Sequence, residues 1–251
     1  GGIGTKASDL DGSRPFPYDE FGNLQTLVST ISGNSVLVTG GSAQSRVSGG
    51  GIAVDTASSY ESIWKYSLED VAALTTSTIA NNSIGLTGSG TAEGAGVFAE
   101  IKYDADIPFV MNFMTVVGNT SSADGVPTGG QVWLQEDDRD TSEYFSILNS
   151  LISGDVAQGT QDVYYQDDLK YGTGTAVYHG ASMPHPDFLA PAVADPAYLG
   201  DLQYNGGLND EPLSKYGGYN KTIALLAGSG AINPQKEGAC ATDDPYGTIG
   251  G

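Results

Sequence analysis

Apolar and polar positions alternate over many short stretches of the chain, with the period of two residues that is typical of β-strands. In residues 96–103, GVFAEIKY, one side carries Glu100 and Lys102 and the other carries only uncharged residues, which predicts a half-exposed strand. Two further apolar runs flank Gly33 and Asn34, a spacing that predicts a hairpin. Gly, Asn, Asp and Pro separate most of the runs, as expected for tight turns.

The most apolar run, residues 107–118 with the sequence IPFVMNFMTVVG, does not alternate. Phe109 and Met111 fall on one side of an extended chain, whereas Met114 and Val116 fall on the other. A strand that is apolar on both sides is covered on both sides, so this run predicts a central strand. It is too short to span a bilayer, which takes about 20 apolar residues.

Two segments predict short helices. Ser67 and Asp70 have the spacing of a capping box before residues 71–74. Asp140 and Glu143 have the same spacing before an apolar stripe at helical intervals. The stripe consists of Tyr144, Ile147, Leu148, Leu151 and Ile152.

Many short strands with few helices predict a mainly β fold, specifically an antiparallel β-sandwich or jelly-roll-like barrel with long loops and one or two short helices. No internal repeat is evident. The expected organisation is an extended N-terminal arm, a sandwich core, a second extended arm or crossover rich in Pro and Gly, and a final strand with a polar tail. Their expected bounds are 1–24, 25–182, 183–220 and 221–251.

The excess of acidic residues makes some classes of binding partner improbable. Ten Lys and Arg residues face thirty Asp and Glu residues, which gives a net charge of -20. Such a chain repels nucleic-acid phosphates and anionic lipids. Its self-repulsion is relieved by salt or bound cations, so we expect a saline or calcium-containing medium.

Candidate catalytic residues are few. The two histidines, His179 and His185, could take part in a Ser-His-Asp triad or bind a metal together with Asp187, but no G-x-S-x-G motif is present, and two surface or turn histidines are the favoured interpretation. Trp133 beside Glu136 and Asp137 is the best match to a sugar-binding cleft, and a core tryptophan at a strand end is the favoured interpretation. We therefore expect no catalytic site and no enzymatic activity.

Three other kinds of site were considered. Asp137, Asp138 and Asp140 supply the clustered oxygens that calcium prefers, although they match no EF-hand. The sequons at Asn81, Asn119 and Asn220 permit glycosylation. Cys240 is the single cysteine and has no internal disulfide partner. A buried, inert thiol is its favoured interpretation.

These features favour a non-enzymatic structural subunit that self-assembles. The first expectation is a virion coat protein of jelly-roll type from a saline habitat, with identical or related coat subunits as partners. Phe16 and Tyr18 would anchor the N-terminal arm on a neighbouring subunit. The alternatives are a secreted cell-surface filament, sheath or S-layer subunit that assembles by strand exchange, and a secreted carbohydrate-active or carbohydrate-binding β-sandwich. The expected location is a virion, the extracellular medium or the cell surface, with no membrane-spanning segment.

Overall fold

The chain winds into a solenoid of stacked coils whose successive strands join parallel sheets. No helix occurs in the part of the chain described by the computed structural model, and thus no helix there has the length and apolarity to cross a membrane. The described residues are 3–7, 25–56, 72–102, 109–124, 129–137, 145–154, 162–166, 169–171, 175–177, 213–214 and 220–223.

Four parallel sheets form the walls of the solenoid. Sheet A contains β1 (Ile3–Ala7), β6 (Ile52–Thr56), β11 (Val97–Lys102), β15 (Val132–Asp137) and β18 (Val163–Gln166). Sheet B contains β2 (Gln25–Leu27), β7 (Ala72–Thr75), β12 (Phe109–Asn112), β16 (Phe145–Leu148) and β19 (Leu169–Tyr171). Sheet C contains β3 (Thr30–Ser32), β8 (Thr78–Ala80), β13 (Thr115–Val117), β17 (Leu151–Ser153) and β20 (Ala176–Val177). Sheet D contains β4 (Ser35–Gly41), β9 (Ser83–Gly88) and β14 (Thr120–Ala123).

Two strand pairs lie outside these sheets. Strand β5 (Arg46–Ser48) pairs in parallel with β10 (Thr91–Glu93). Strand β21 (Leu213–Ser214) pairs with β22 (Thr222–Ile223) and forms the one antiparallel pair among the described strands. We number the coils in chain order, so that coil 1 spans residues 3–48, coil 2 spans 52–93, coil 3 spans 97–123, coil 4 spans 132–153 and coil 5 spans 163–177.

The core consists of the side chains that point inward from sheets A, B and C. The residues at inward positions stack from coil to coil, and in some columns they are alike. Phe109 and Phe145 meet edge to face in this core, with ring centroids 6.0 Å apart. One such column in sheet A consists of Ile52, Val97, Val132 and Val163, all fully buried.

Two-residue turns join sheet B to sheet C and shift the pattern of alternation. The first residue of this turn in coil 3, Phe113, has a left-handed backbone with a φ of 54°, and the matching residues Val28, Thr76 and Asn149 have φ between 48° and 51°. The turn changes which residues face inward, so Met114 joins Phe109 and Met111 in the core. This is why residues 107–118 read as apolar on both sides.

The predicted antiparallel sandwich or jelly roll is therefore wrong, although the mainly β content is right. Every strand of sheets A to D pairs in parallel with a strand of the next coil. Tight turns made the sequence look antiparallel because a turn between two coplanar strands and a turn around a solenoid corner use the same residues. The predicted division at residues 1–24, 25–182, 183–220 and 221–251 stays a prediction, and we note that β1 lies in the first of these segments.

Local predictions fail for the same reason. The expected hairpin at Gly33 is a corner, since β3 pairs with β8 and β4 pairs with β9. The expected helix over the apolar stripe is wrong from Phe145 onward, where β16 and β17 lie, and residues 140–144 are outside the described residues. The expected helix over residues 71–74 is likewise replaced by β7, which begins at Ala72. The sequence analysis found no internal repeat, but the structure contains repeated coils, which are joined by loops of unequal length.

Candidate functional site

Arg46 is the centre of a charged cluster on the outer side of sheet A. Its Nε donates to Glu93 Oε2 in a very short contact, and its Nη1 donates to Glu100 Oε2 at 2.7 Å. Glu93 and Glu100 are 8% and 7% exposed, so both carboxylates depend on the protein for compensation of their charge. Strand β5 presents Arg46 here because it is stacked on β10, which ends at Glu93.

An aromatic stack lies beneath the Arg46 guanidinium. Phe98 and Trp133 are paired in register on neighbouring coils and stack with centroids 4.8 Å apart. Tyr164 continues the stack, 5.6 Å from Trp133. The Arg46 Cζ atom lies 4.5 Å from the Phe98 centroid and 4.8 Å from that of Trp133, which are cation–π distances. Because Trp133 is only 3% exposed, its ring is not available as a sugar-stacking platform.

A column of side-chain amides fills the corner between sheets C and D. Asn34 donates through Nδ2 to Asn82 Oδ1 at 2.9 Å, and Asn82 donates in the same way to Asn119 Oδ1 at 2.9 Å. Asn119 Nδ2 donates to Gln131 Oε1 at 2.8 Å. Each side-chain amide donates a hydrogen bond to the next one in the column. A continuous row of hydrogen bonds therefore holds this corner of successive coils together.

The C-terminal part of the chain returns to the side of coil 1. The Thr30 hydroxyl accepts a hydrogen bond of 2.9 Å from the Lys221 N–H and donates one of 2.8 Å to the Lys221 carbonyl. Asn220 Nδ2 donates to the Thr76 carbonyl at 3.3 Å. These bonds attach residues 220–223 to the corner between sheets B and C, beside the first two coils.

Coil 1 forms an open end of the solenoid. Its strand β4 is the edge of sheet D and is hydrogen-bonded only to β9 among the described strands. Val36 pairs with the buried Ile84 and faces the same way, yet it is 36% exposed, and none of the described strands lies beyond β4 in sheet D. Leu37 points outward from the same strand and is 67% exposed, and Leu27 on sheet B is 59% exposed.

The strands of sheets B, C and D at this end are also uncharged, although Lys6 and Arg46 lie elsewhere in coil 1. Residues 25–45 contain no Asp, Glu, Lys or Arg, although the chain carries a net charge of -20. Apart from Lys170 in β19, no strand of sheets B, C or D contains a charged residue. Edge strands usually carry charges or proline that prevent pairing with another chain, and β4 carries neither. The coil 1 end is therefore suited to association with another polypeptide.

The structure locates only some of the sites predicted from the sequence. Asp137 is the last residue of β15, whereas Asp138 and Asp140 lie outside the described residues, so the calcium site stays a prediction. No group of three or more His, Cys, Asp and Glu residues that could hold a metal occurs in the part of the chain described here. The remaining candidates Phe16, Tyr18, His179, His185, Asp187 and Cys240 also lie outside it.

Two of the three predicted sequons have buried side chains. Asn119 is 2% exposed within the amide column, and Asn220 is 5% exposed beside Thr76. Asn81 is half-buried and adopts a left-handed φ of 57° at a corner. Glycosylation stays untested at all three, but a glycan on Asn119 would require its Nδ2 to leave the column.

Sequence reasoning missed Arg46, the amide column and the coil 1 edge. One signal was available: the segments TISGNSVLV, TIANNSIGL and TVVGNTSSA begin at Thr30, Thr78 and Thr115 and place an asparagine at the same position. Unequal loops between the segments hide this repeat from a search for a fixed period. The Arg46 cluster has no comparable signal, because its members come from three different coils.

The sequence matches no protein-family model, and no curated protein or solved structure is similar to it.

Proposed function

We propose that this chain is a non-enzymatic structural subunit that self-associates outside the cell, as part of a cell-surface filament or sheath. The observation that carries the proposal is the edge of coil 1, where the seven-residue strand β4 combines a side that no other described strand pairs with, an exposed Leu37 and an absence of charge. In a protein with a net charge of -20, an uncharged surface is the place where two copies approach at the lowest electrostatic cost.

The solenoid geometry favours a filament or sheath over a closed coat. Each coil of a solenoid presents nearly the same outline to its neighbour, so an added strand or coil continues the existing sheets. The expectation of a virion coat rested on a jelly roll, which this chain does not form. A virion surface fibre built from the same solenoid remains compatible with the proposed assembly.

Carbohydrate binding receives less support. Protein sites for sugars usually present an accessible aromatic face, and Arg46 covers the Phe98 and Trp133 rings of the described stack. The two buried carboxylates of Glu93 and Glu100 share that guanidinium, so they serve to hold Arg46 in place.

Sedimentation velocity combined with negative-stain imaging tests the proposal. The protein should associate as its concentration rises, and association should strengthen from low to molar NaCl because salt screens the repulsion between acidic copies. Elongated particles or sheets are the expected images. A protein that sediments as a monomer at every concentration and salt level would contradict the proposal.

A further inference from the structure

Strand β4 has two distinct sides, and only the side toward β9 is paired within the described part of the chain. The Ser83 N–H donates to the Asn34 carbonyl at 2.8 Å, and Ser35 is the register partner of Ser83. Backbone groups of successive strand residues point to opposite sides, so the even-numbered positions face β9. The N–H and C=O groups of Ser35 and Leu37 consequently point away from β9, toward the outer edge, whereas Thr39 lies where the register with β9 shifts between Val38 and Gly41.

We propose that β4 of a second copy pairs with this edge in an antiparallel arrangement, around a two-fold axis at Leu37. Leu37 of each copy would then exchange both backbone hydrogen bonds with Leu37 of the other. Ser35 of each copy would pair in the same way with Thr39 of the other copy, because these two residues are equally distant from Leu37. The Leu37 pair contributes about two hydrogen bonds, and the pairings of Ser35 with Thr39 extend the ladder on either side of it.

The edge fits a copy of itself better than it fits an unrelated acidic surface. A two-fold contact brings together identical patches, and here both patches are uncharged while the bodies behind them repel one another. The Leu37 side chain leaves the edge accessible because it leans over β9, where its Cδ1 lies 2.9 Å from the place that a Cβ on Gly85 would occupy. Val36, which faces inward but is 36% exposed, would gain cover from the added strand.

This inference rests on the proposed self-association and specifies a contact between two copies. It predicts the distance between the two Leu37 Cα atoms, which can be tested by experiment. Residues that exchange both hydrogen bonds in an antiparallel pair have Cα atoms about 5.5 Å apart. That separation lies inside the range of about 4.4–6.8 Å that a disulfide bridges, so cysteines at position 37 of two copies should form a disulfide.

A cross-linking experiment tests this geometry. Leu37→Cys is introduced into a full chain that also carries Cys240→Ser, and mild oxidation is followed by non-reducing electrophoresis. The matched control is Leu27→Cys in the same background, since Leu27 is comparably exposed on coil 1 but projects from sheet B. We expect a disulfide-linked dimer from position 37 at several times the yield from position 27.

A backbone variant tests the hydrogen bonds. Leu37→Pro removes one open-edge N–H and leaves the bonds to β9 in place, because proline is tolerated where the N–H of an edge strand faces outward. The dissociation constant of the dimer should rise by about tenfold or more, since two of the paired N–H groups are lost. Leu37→Thr, which keeps the N–H, should shift the constant far less, and the circular dichroism of both variants should match that of the wild type.

The outcomes separate the two proposals. Equal cross-linking at positions 27 and 37 overturns the β4 pairing, and so does an unchanged dissociation constant for a folded Leu37→Pro variant. In either case, association of the wild type in the centrifuge still supports the structural role. A wild type that is monomeric throughout overturns both. If Leu37→Pro fails to fold, the cross-linking result alone decides.

Discussion

The Asn82 side chain donates a hydrogen bond of 2.9 Å to Asn119 Oδ1, and both residues are at least 98% buried. The same Asn82 accepts hydrogen bonds from the backbone N–H and the Nδ2 of Asn34 through its Oδ1. One amide therefore links three coils, and its removal leaves buried polar groups without partners on both sides.

We expect Asn82→Ala to lower the free energy of unfolding by about 2–3 kcal/mol, because the buried partners lose their hydrogen bonds without gaining water. Asn34→Ala is the matched control at the open end of the column, where water reaches the site, and should cost about 1 kcal/mol. Urea denaturation followed by circular dichroism measures both. Equal losses for the two variants would show that the column does not contribute through burial.

Replacement of Arg46 by methionine should also destabilise the fold. It leaves Glu93 and Glu100 buried without their counter-ion, a loss of about 2–3 kcal/mol after allowance for the partial exposure of Arg46. The informative control is the triple variant Arg46→Met, Glu93→Gln and Glu100→Gln, which removes the uncompensated charge and should recover at least half of the loss. Thermal and urea unfolding measure the series, and a triple variant no better than the single one would contradict this electrostatic explanation.

Gly96 has no room for a side chain. A Cβ at this position would lie 2.6 Å from the Gln131 carbonyl oxygen and 2.8 Å from Asn119 Nδ2, so Gly96→Ala must displace the amide column. We expect a loss of about 2–3 kcal/mol in the free energy of unfolding. Gly40→Ala is the control: Gly40 has a φ of 73° but open space around it, so only backbone strain of about 1 kcal/mol applies. A larger loss at Gly40 would contradict the steric argument.

Tyr165 should make the protein sensitive to alkali. Burial raises the pKa of its phenol above the ordinary value of 10.0, because desolvation disfavours the phenolate. The neutral phenol is therefore favoured in the fold, and the stability associated with it is complete below pH 10 and is lost as the pH rises through the folded-state pKa. Unfolding measured from pH 7 to pH 11 should show a steeper decline for the wild type than for Tyr165→Phe. Parallel declines would exclude Tyr165 as a cause.

Much of the local structure could be predicted from the sequence. The short alternating runs do form strands, as in β11 and β15, and residues 109–117 of the most apolar run lie in β12, β13 and the turn between them, with both strands central in their sheets. The interpretation of Trp133 as a core tryptophan at a strand end is right about its burial, since it is 3% exposed near the start of β15, but its ring stacks on Phe98 beneath Arg46 and is not part of the main core. These features follow from side-chain alternation and turn chemistry, which act over a few neighbouring residues.

The helix predicted over residues 140–152 shows where such reasoning fails. Phe145 and Ile147 point inward from β16, a two-residue turn follows at Asn149, and Ile152 points inward from β17. A strand, a turn and a strand together produce apolar intervals that resemble a helical stripe. The pattern alone does not distinguish the two, because both place apolar residues on one side at similar spacing.

The sequence by itself determined the mainly β content, many of the tight turns and the excess of acid. Only the tertiary structure decided that Ser35 pairs with Ser83 in parallel, that Arg46 reaches Glu100, and that the uncharged strand β4 has an edge with which no other described strand pairs. The physical reason is that backbone hydrogen bonds are the same for every residue type, so the choice of a strand's partner depends on how the whole chain closes its coils.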